Sequence, residues 1–210
     1  MPKKLREYEH ISYSQGNEAA KTKIDPSHSI HSGVCFSLCC QWIQLHKQNR
    51  SEGSLKRRDA MTQRIKELGS DNIMFYRAVN SQMNTYGISN SKTKLGQKNE
   101  TGNKYGIKFV DSLGTTLCSS KSYKTDVLLN EVNHPHRYTQ TSFQLKNGRH
   151  AICAYRSNGK IFGLGAHLYV FDPNFGEFRI SPSEIEDFYT ALFDKYKPVH
   201  SHITFRVDDC

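Results

Sequence analysis

Apolar residues recur at helical spacing from Val34 onward. In the segment VCFSLCCQWIQLHK, Leu38, Trp42 and Leu45 fall on one face, and Ser32 or Gly33 stands where an N-cap belongs. This predicts a buried helix with Cys35 in its first turn. A second helical stretch over roughly 55–86, broken near Gly69-Ser70-Asp71, turns Met61, Ile65 and Leu68, then Met74, Ala78 and Met83, to one side. Residues 87–106 are rich in Gly, Asn, Ser and Lys and predict an exposed, mobile loop. A short apolar piece follows at 107–110, and a helix over 122–132 is stopped by Asn133-His134-Pro135. Strand patterning then takes over at 138–145, 150–156, 166–171 and 202–207, with a helix from Pro182 to about Tyr196 before the last strand. Helices first and an antiparallel sheet later is the order of an α+β fold with two packed halves, and there is no internal repeat.

Residues 1–30 are polar, with turn formers at Gly16 and Asp25-Pro26-Ser27, and are expected to be a flexible leader to one folded domain over 31–210. A hydrophobic content of 36%, with Trp42, 11 Tyr and 11 Phe, excludes a wholly disordered chain. The net charge of +9, from 29 basic and 20 acidic residues, favours anionic partners such as an anionic membrane surface, an acidic protein or nucleic acid. Its clusters Lys3/Lys4/Arg6 and Lys56/Arg57/Arg58 read as solvated surface. The six cysteines (35, 39, 40, 118, 153, 210) form no CxxC, and no secretory apolar segment follows the polar start, which points to reduced thiols in a cytosol. No apolar run approaches the ~18 residues of a membrane span.

Three segments carry chemistry. In Gly33-Val34-Cys35, a small residue precedes a cysteine at a helix N-terminus, where free N–H groups and the helix dipole stabilise a thiolate and can face a developing oxyanion. A lone cysteine there is also an ordinary small core residue. In Asn147-Gly148-Arg149-His150-Ala151-Ile152 a turn ends and a strand begins with a histidine, which either reaches across a cleft or sits half-exposed in a sheet. The third segment, Phe171-Asp172-Pro173-Asn174-Phe175-Gly176-Glu177-Phe178, ends a strand in a carboxylate that is either functional or a turn initiator. Together they supply a nucleophile, a base and a carboxylate to fix the imidazole tautomer. A cysteine on an early helix, followed by histidine and aspartate on consecutive late strands, is the chain order of papain-like proteases.

On these blocks, Gly33-Val34-Cys35 running into a helix with Trp42, His150-Ala151-Ile152, and Asp172 to Phe178, the chain resembles the YopT/AvrPphB family of bacterial effector proteases. The resemblance implies a papain-like α+β fold. It also implies Cys35 as nucleophile, His150 as general base and acid, and Asp172 as orienter of the histidine. The activity it implies is cleavage of host proteins after secretion, by a route without a signal peptide, into the reducing cytosol of a eukaryotic host cell. No cofactor, metal or nucleic-acid partner is expected, and the chain is expected to act as a monomer.

A tight hairpin at Asn158-Gly159 would set His150 opposite His167. A wider connection over 157–165 pairs Arg156 with Ala166 and sets His150 opposite Asp172, which is the predicted register. Ile161, Phe162 and Leu164 then lie in a protruding flap. The positions just before the cysteine, Ser29, Ile30 and His31, hold no Gln or Asn. The second oxyanion donor is therefore open among Ser29, His31, Gln41 and Asn174. Cys39, Cys40 and Cys153 read as core thiols, and His134/His136 and His200/His202 lack companion ligands at metal-site spacing. Two alternatives remain: a glutamine deamidase, transamidase or other acyl transferase using the same triad, and a basic binding module without catalysis.

Overall fold

The computed structural model describes residues 4–21, 34–50, 53–65, 71–86, 93–110, 115–118, 125–159 and 165–208. Its centre is an antiparallel sheet in the order β1 (Glu9–Ser12), β9 (Gly176–Ile180), β8 (Leu168–Asp172), β7 (Gly148–Arg156), β6 (Tyr138–Leu145), β10 (Val199–Val207) and β4 (Phe109–Val110), with β5 (Thr115–Leu117) also paired to β10. The helices are α1 (Gln15–Lys21), α2 (Cys35–Gln48), α3 (Ser54–Met61), α4 (Ile73–Tyr86), α5 (Lys94–Asn103), α6 (Asp126–Val132) and α7 (Ile185–Lys195). A two-stranded ribbon, β2 (Arg64–Ile65) with β3 (Asp71–Asn72), lies between α3 and α4.

Both faces of the sheet are covered, so its central strand reads as a nearly continuous apolar run, Ala151-Ile152-Cys153-Ala154-Tyr155, rather than an alternating one. Ala151, Cys153 and Tyr155 pack with α2, α4 and the segment around Tyr105. Ile152 and Ala154 face the opposite way, into a core built with α6 and α7. Helix α7 supplies Ile185, Phe188, Tyr189, Leu192 and Phe193, an apolar stripe at positions i, i+3, i+4, i+7 and i+8. Trp42, almost wholly buried, anchors α2 in the first core and stacks on Phe171 with ring centroids 6.0 Å apart. An aromatic of that size contributes on the order of 2–3 kcal/mol by burial.

The expected α+β architecture is present, and several local expectations are corrected. The N-terminal segment is no flexible leader over residues 5–21. Leu5–Tyr8 form a 3-10 turn, β1 pairs with β9, and Tyr8 and Tyr13 are buried against Phe188 and Phe171. The folded unit therefore begins well before residue 31, while residues 22–33 lie outside the described set. The loop expected over 87–106 contains α5, capped by Thr93, whose Oγ1 accepts the N–H of Gly96 at 3.0 Å. Its buried residues are Lys98, Thr101 and Gly102, which no apolar pattern announces. Lys98 donates to Ser142 and Gln140 and lies over the rings of Phe36 and Phe205. In α4 the core stripe is Phe75, Ala78 and Val79, with Met74 half-buried. Leu68 and the side chains of Ile65 and Met83 are outside the described set. Arg57, placed by its charge in a solvated cluster, is buried in an ion pair with Glu177 at 2.7 Å.

Gly176 shows how tightly β1 is fitted. Its φ is +116°, and a Cβ there would stand 2.1 Å from the Ile11 carbonyl oxygen and 2.6 Å from the Tyr13 nitrogen. Gly176→Ala is expected to cost roughly 2–3 kcal/mol in urea unfolding and to raise amide exchange in β1. A variant with wild-type stability would contradict this fit.

Candidate active site

Helix α2 begins at Cys35. Its N-cap, Val34, makes no side-chain bond, and the first intrahelical bond is from the Leu38 N–H to the Val34 carbonyl at 3.0 Å. Ser32 and Gly33, expected as caps, lie outside the described residues. Another helix supplies the missing cap, since the Ser37 N–H donates to Gln82 Oε1 of α4 at 3.2 Å. Further along, the Cys39 thiol donates to the Ala151 carbonyl at 3.4 Å. Trp42 Nε1 donates to Glu177 Oε2 at 2.8 Å. Glu177 also accepts from Ser54 and from two nitrogens of Arg57, so this buried carboxylate joins α2 and α3 to β9. These bonds fix the position of α2 along its own axis and hence the place of Cys35.

The ladder between β7 and β8 runs from Cys153↔Phe171 to Arg156↔Leu168, two residues out of the predicted frame. The cause is local. The Ser157 N–H donates to the His167 carbonyl at 3.0 Å, and the His167 N–H returns to Ser157 Oγ at 2.9 Å. Pairing therefore continues past Arg156, and Ala166 is pushed into the connection. An even displacement keeps every side chain on its face, and His150 Nε2 still meets Asp172 Oδ1 at 2.9 Å. Ile161, Phe162 and Leu164 of the expected flap are outside the described residues.

Asp172 both closes a turn and meets the histidine. Its backbone carbonyl accepts the Phe175 N–H at 3.1 Å and its Oδ1 accepts the Asn174 N–H at 2.8 Å, which closes the turn into β9. The same carboxylate holds the histidine. Asp172 is wholly buried and His150 is 4% exposed. Burial disfavours the imidazolium, but the charge and hydrogen bond of Asp172, followed by the interaction with the Cys35 side chain, outweigh it and raise the His150 pKa from 6.5 to about 10. Cys35, His150 and Asp172 are thus brought together. Burial pushes the thiols of Cys39, Cys40 and Cys153 up.

The meeting is made at the end of the sheet. His150 shares the face of Ile152 and Ala154, toward α7, whereas α2 packs on the face of Ala151 and Cys153. Cys35, the first residue of its helix, comes within reach of an imidazole that belongs to the other side. Of the described candidates for the second oxyanion donor, Gln41 gives one amide N–H to the Met74 carbonyl at 3.2 Å and Asn174 gives one to the Tyr196 hydroxyl at 2.9 Å. Ser29 and His31 are outside the described residues.

Tyr196 was not foreseen. Its hydroxyl lies 2.9 Å from His150 Nε2 and 2.9 and 3.0 Å from the two Asp172 oxygens. It follows the last turn of α7, 24 or more residues from each of these partners, and no local motif marks it.

The model of the C58 peptidase family, described as Yersinia/Haemophilus virulence surface antigen, matches residues 7–205. The chain belongs to this family. The matched span includes β1, in keeping with an N-terminal segment built into the C58 fold. Among related proteins is the YopT-like protein y4zC of Sinorhizobium fredii (strain NBRC 101917 / NGR234), named for a cysteine protease. It is 25% identical over 184 residues, which are 82% of this chain and 62% of that protein. The chain thus spans less than two thirds of that relative's length. The crystal structure of the Pseudomonas avirulence protein AvrPphB superposes with a TM-score of 0.69 at 17% identity, over 97% of this chain and 99% of that one, and shows the same fold.

Because the folded-state pKa of His150 lies above 6.5, its charged form stabilises the fold below that pH, and the contribution is lost as pH rises through about 10. Asp172→Asn removes the main cause of the raised value. The gap in melting temperature between wild type and this variant should be widest at pH 6.5 and narrow toward pH 10. A gap independent of pH across that window would contradict the charged pair.

Proposed function

We propose that the protein is a cysteine endopeptidase, with Cys35 as nucleophile, His150 as general base and then acid, and Asp172 as the group that orients the imidazole. The observation that carries this reading is the hydrogen bond of His150 Nε2 to a fully buried carboxylate while the same ring interacts with Cys35 at a helix N-terminus. With Nε2 engaged by Asp172, Nδ1 is the nitrogen left for the thiol proton.

In the first half-reaction, the Cys35 proton is held on His150 Nδ1, in the imidazolium that Asp172 favours, and the thiolate sulfur bonds to the scissile carbonyl carbon. The carbonyl electrons move to oxygen, where the Cys35 N–H and the positive end of α2 meet the developing charge. Collapse breaks the C–N bond, and the leaving amine takes the proton from His150. Water then gives a proton to the same nitrogen and attacks the thioester. The second collapse breaks the C–S bond, the acid product leaves and sheds its remaining proton to solvent, and the proton on His150 returns to sulfur. The described cysteines are all free thiols, as this chemistry in a reducing cytosol requires.

Membership of a virulence family supports a host-cell protein as substrate. Mapping new protein N-termini in host-cell lysate treated with wild type or Cys35→Ala is the test. The variant should keep its circular dichroism spectrum and lose cleavage by at least ~1000-fold. Cleavage that survives the substitution would refute the assignment. A modified but intact chain, with the mass change of deamidation or transamidation, would instead place the same thioester chemistry in an acyl transferase.

A further inference from the structure

The reaction above gives Tyr196 no role, yet its hydroxyl sits where the His150–Asp172 pair is held. A phenol has one proton to give and two lone pairs to receive. Ionised Asp172 can only accept, and the Asn174 Nδ2 group can only donate. The phenolic proton therefore goes to Asp172, and one lone pair takes the Asn174 Nδ2–H at 2.9 Å. The remaining lone pair faces His150 Nε2 at 2.9 Å, which satisfies it only if that nitrogen carries a proton. The Nε2–H is then shared between Asp172 Oδ1 and the phenol oxygen. The two rings also overlap, with centroids 4.7 Å apart and planes inclined by 33°. Burial, and after it the charge of Asp172, raises the Tyr196 pKa, so the phenol stays protonated as this pattern demands.

The arrangement extends outward. Asn174 is itself held, because Gln15 Nε2 donates to Asn174 Oδ1 at 2.6 Å. The backbone supports the same joint: the Gln15 N–H donates to the Pro173 carbonyl at 2.7 Å and the Tyr13 N–H to the Phe175 carbonyl at 3.1 Å. Helix α1 and the residues just before it thus grip the turn that carries Asp172.

We propose that Tyr196 is a positioning residue that fixes the His150 ring with its Nε2–H on Asp172 and Nδ1 turned to Cys35, and that this clamp is anchored through Asn174 to Gln15 of the N-terminal segment. Its catalytic consequence rests on the peptidase reading, but its structural content does not. The test is nitrogen-15 NMR of the His150 imidazole in the full chain, as wild type, Tyr196→Phe and Gln15→Leu. In wild type the Nε2 proton should be protected and a single ring orientation present. In Tyr196→Phe its exchange should accelerate roughly tenfold to hundredfold and a second ring orientation should appear. Gln15→Leu should give a smaller change of the same kind.

Wild-type exchange in Tyr196→Phe overturns the clamp, and wild-type exchange in Gln15→Leu overturns its anchoring at α1. Where peptide cleavage is measured, kcat should fall in Tyr196→Phe with KM little altered. A wild-type protein that cleaves nothing would remove the peptidase reading and leave the NMR result to judge the clamp by itself.

Discussion

An imidazole shut away from water can carry charge only if a carboxylate compensates it, and His150 meets that condition through Asp172. Much of the fold bears on this contact. The two groups come from neighbouring strands, on the face that packs against α7, and the thiol comes from a helix on the other face. They can meet only at the end of the sheet. A slide of α2 by one residue would move the sulfur by about 1.5 Å, so the bonds that lock the helix along its axis matter as much as those within the site. The Cys39 thiol on the Ala151 carbonyl and the Trp42 indole on Glu177 are two such locks.

The heptapeptide Asp172 to Phe178 combines chemistry with construction. Asp172 hydrogen-bonds the imidazole and closes the turn, and Asn174 reaches the Tyr196 hydroxyl. Gly176 leaves the space through which β1 passes, while Glu177 collects α2 and α3. Phe178 fills the core beneath α7. Breaking one partner of a buried ion pair such as Arg57–Glu177 commonly costs about 3–5 kcal/mol. Half of this distinctive motif is therefore there to hold the fold around the site.

What could be read in the sequence follows from this physics. Helix α2 and strand β7 show themselves because they bury an apolar stripe or run, and the cysteine, histidine and aspartate stand at element ends where chemistry is commonly placed. Helix α5 hides because the side chains it buries are Lys98 and Thr101, with Gly102. Strand β1 hides because it is mostly exposed and pairs with a strand more than 160 residues away. The register of β7 with β8 depends on a hydroxyl, that of Ser157, bonding like a piece of strand, which period-two patterning does not contain. Tyr196 and Gln82 reach their targets only through tertiary contact, so no spacing marks either.

The central claim is that Cys35 is chemically distinct from the other thiols because of the charged His150–Asp172 pair. Competitive alkylation by iodoacetamide in mildly acidic buffer, read by peptide mapping, measures this directly. Cys35, although more buried than Cys118, should be labelled at least ~10-fold faster, and Asp172→Asn should abolish the preference. Labelling of Cys118 ahead of Cys35, or a preference that persists in the variant, would contradict the account.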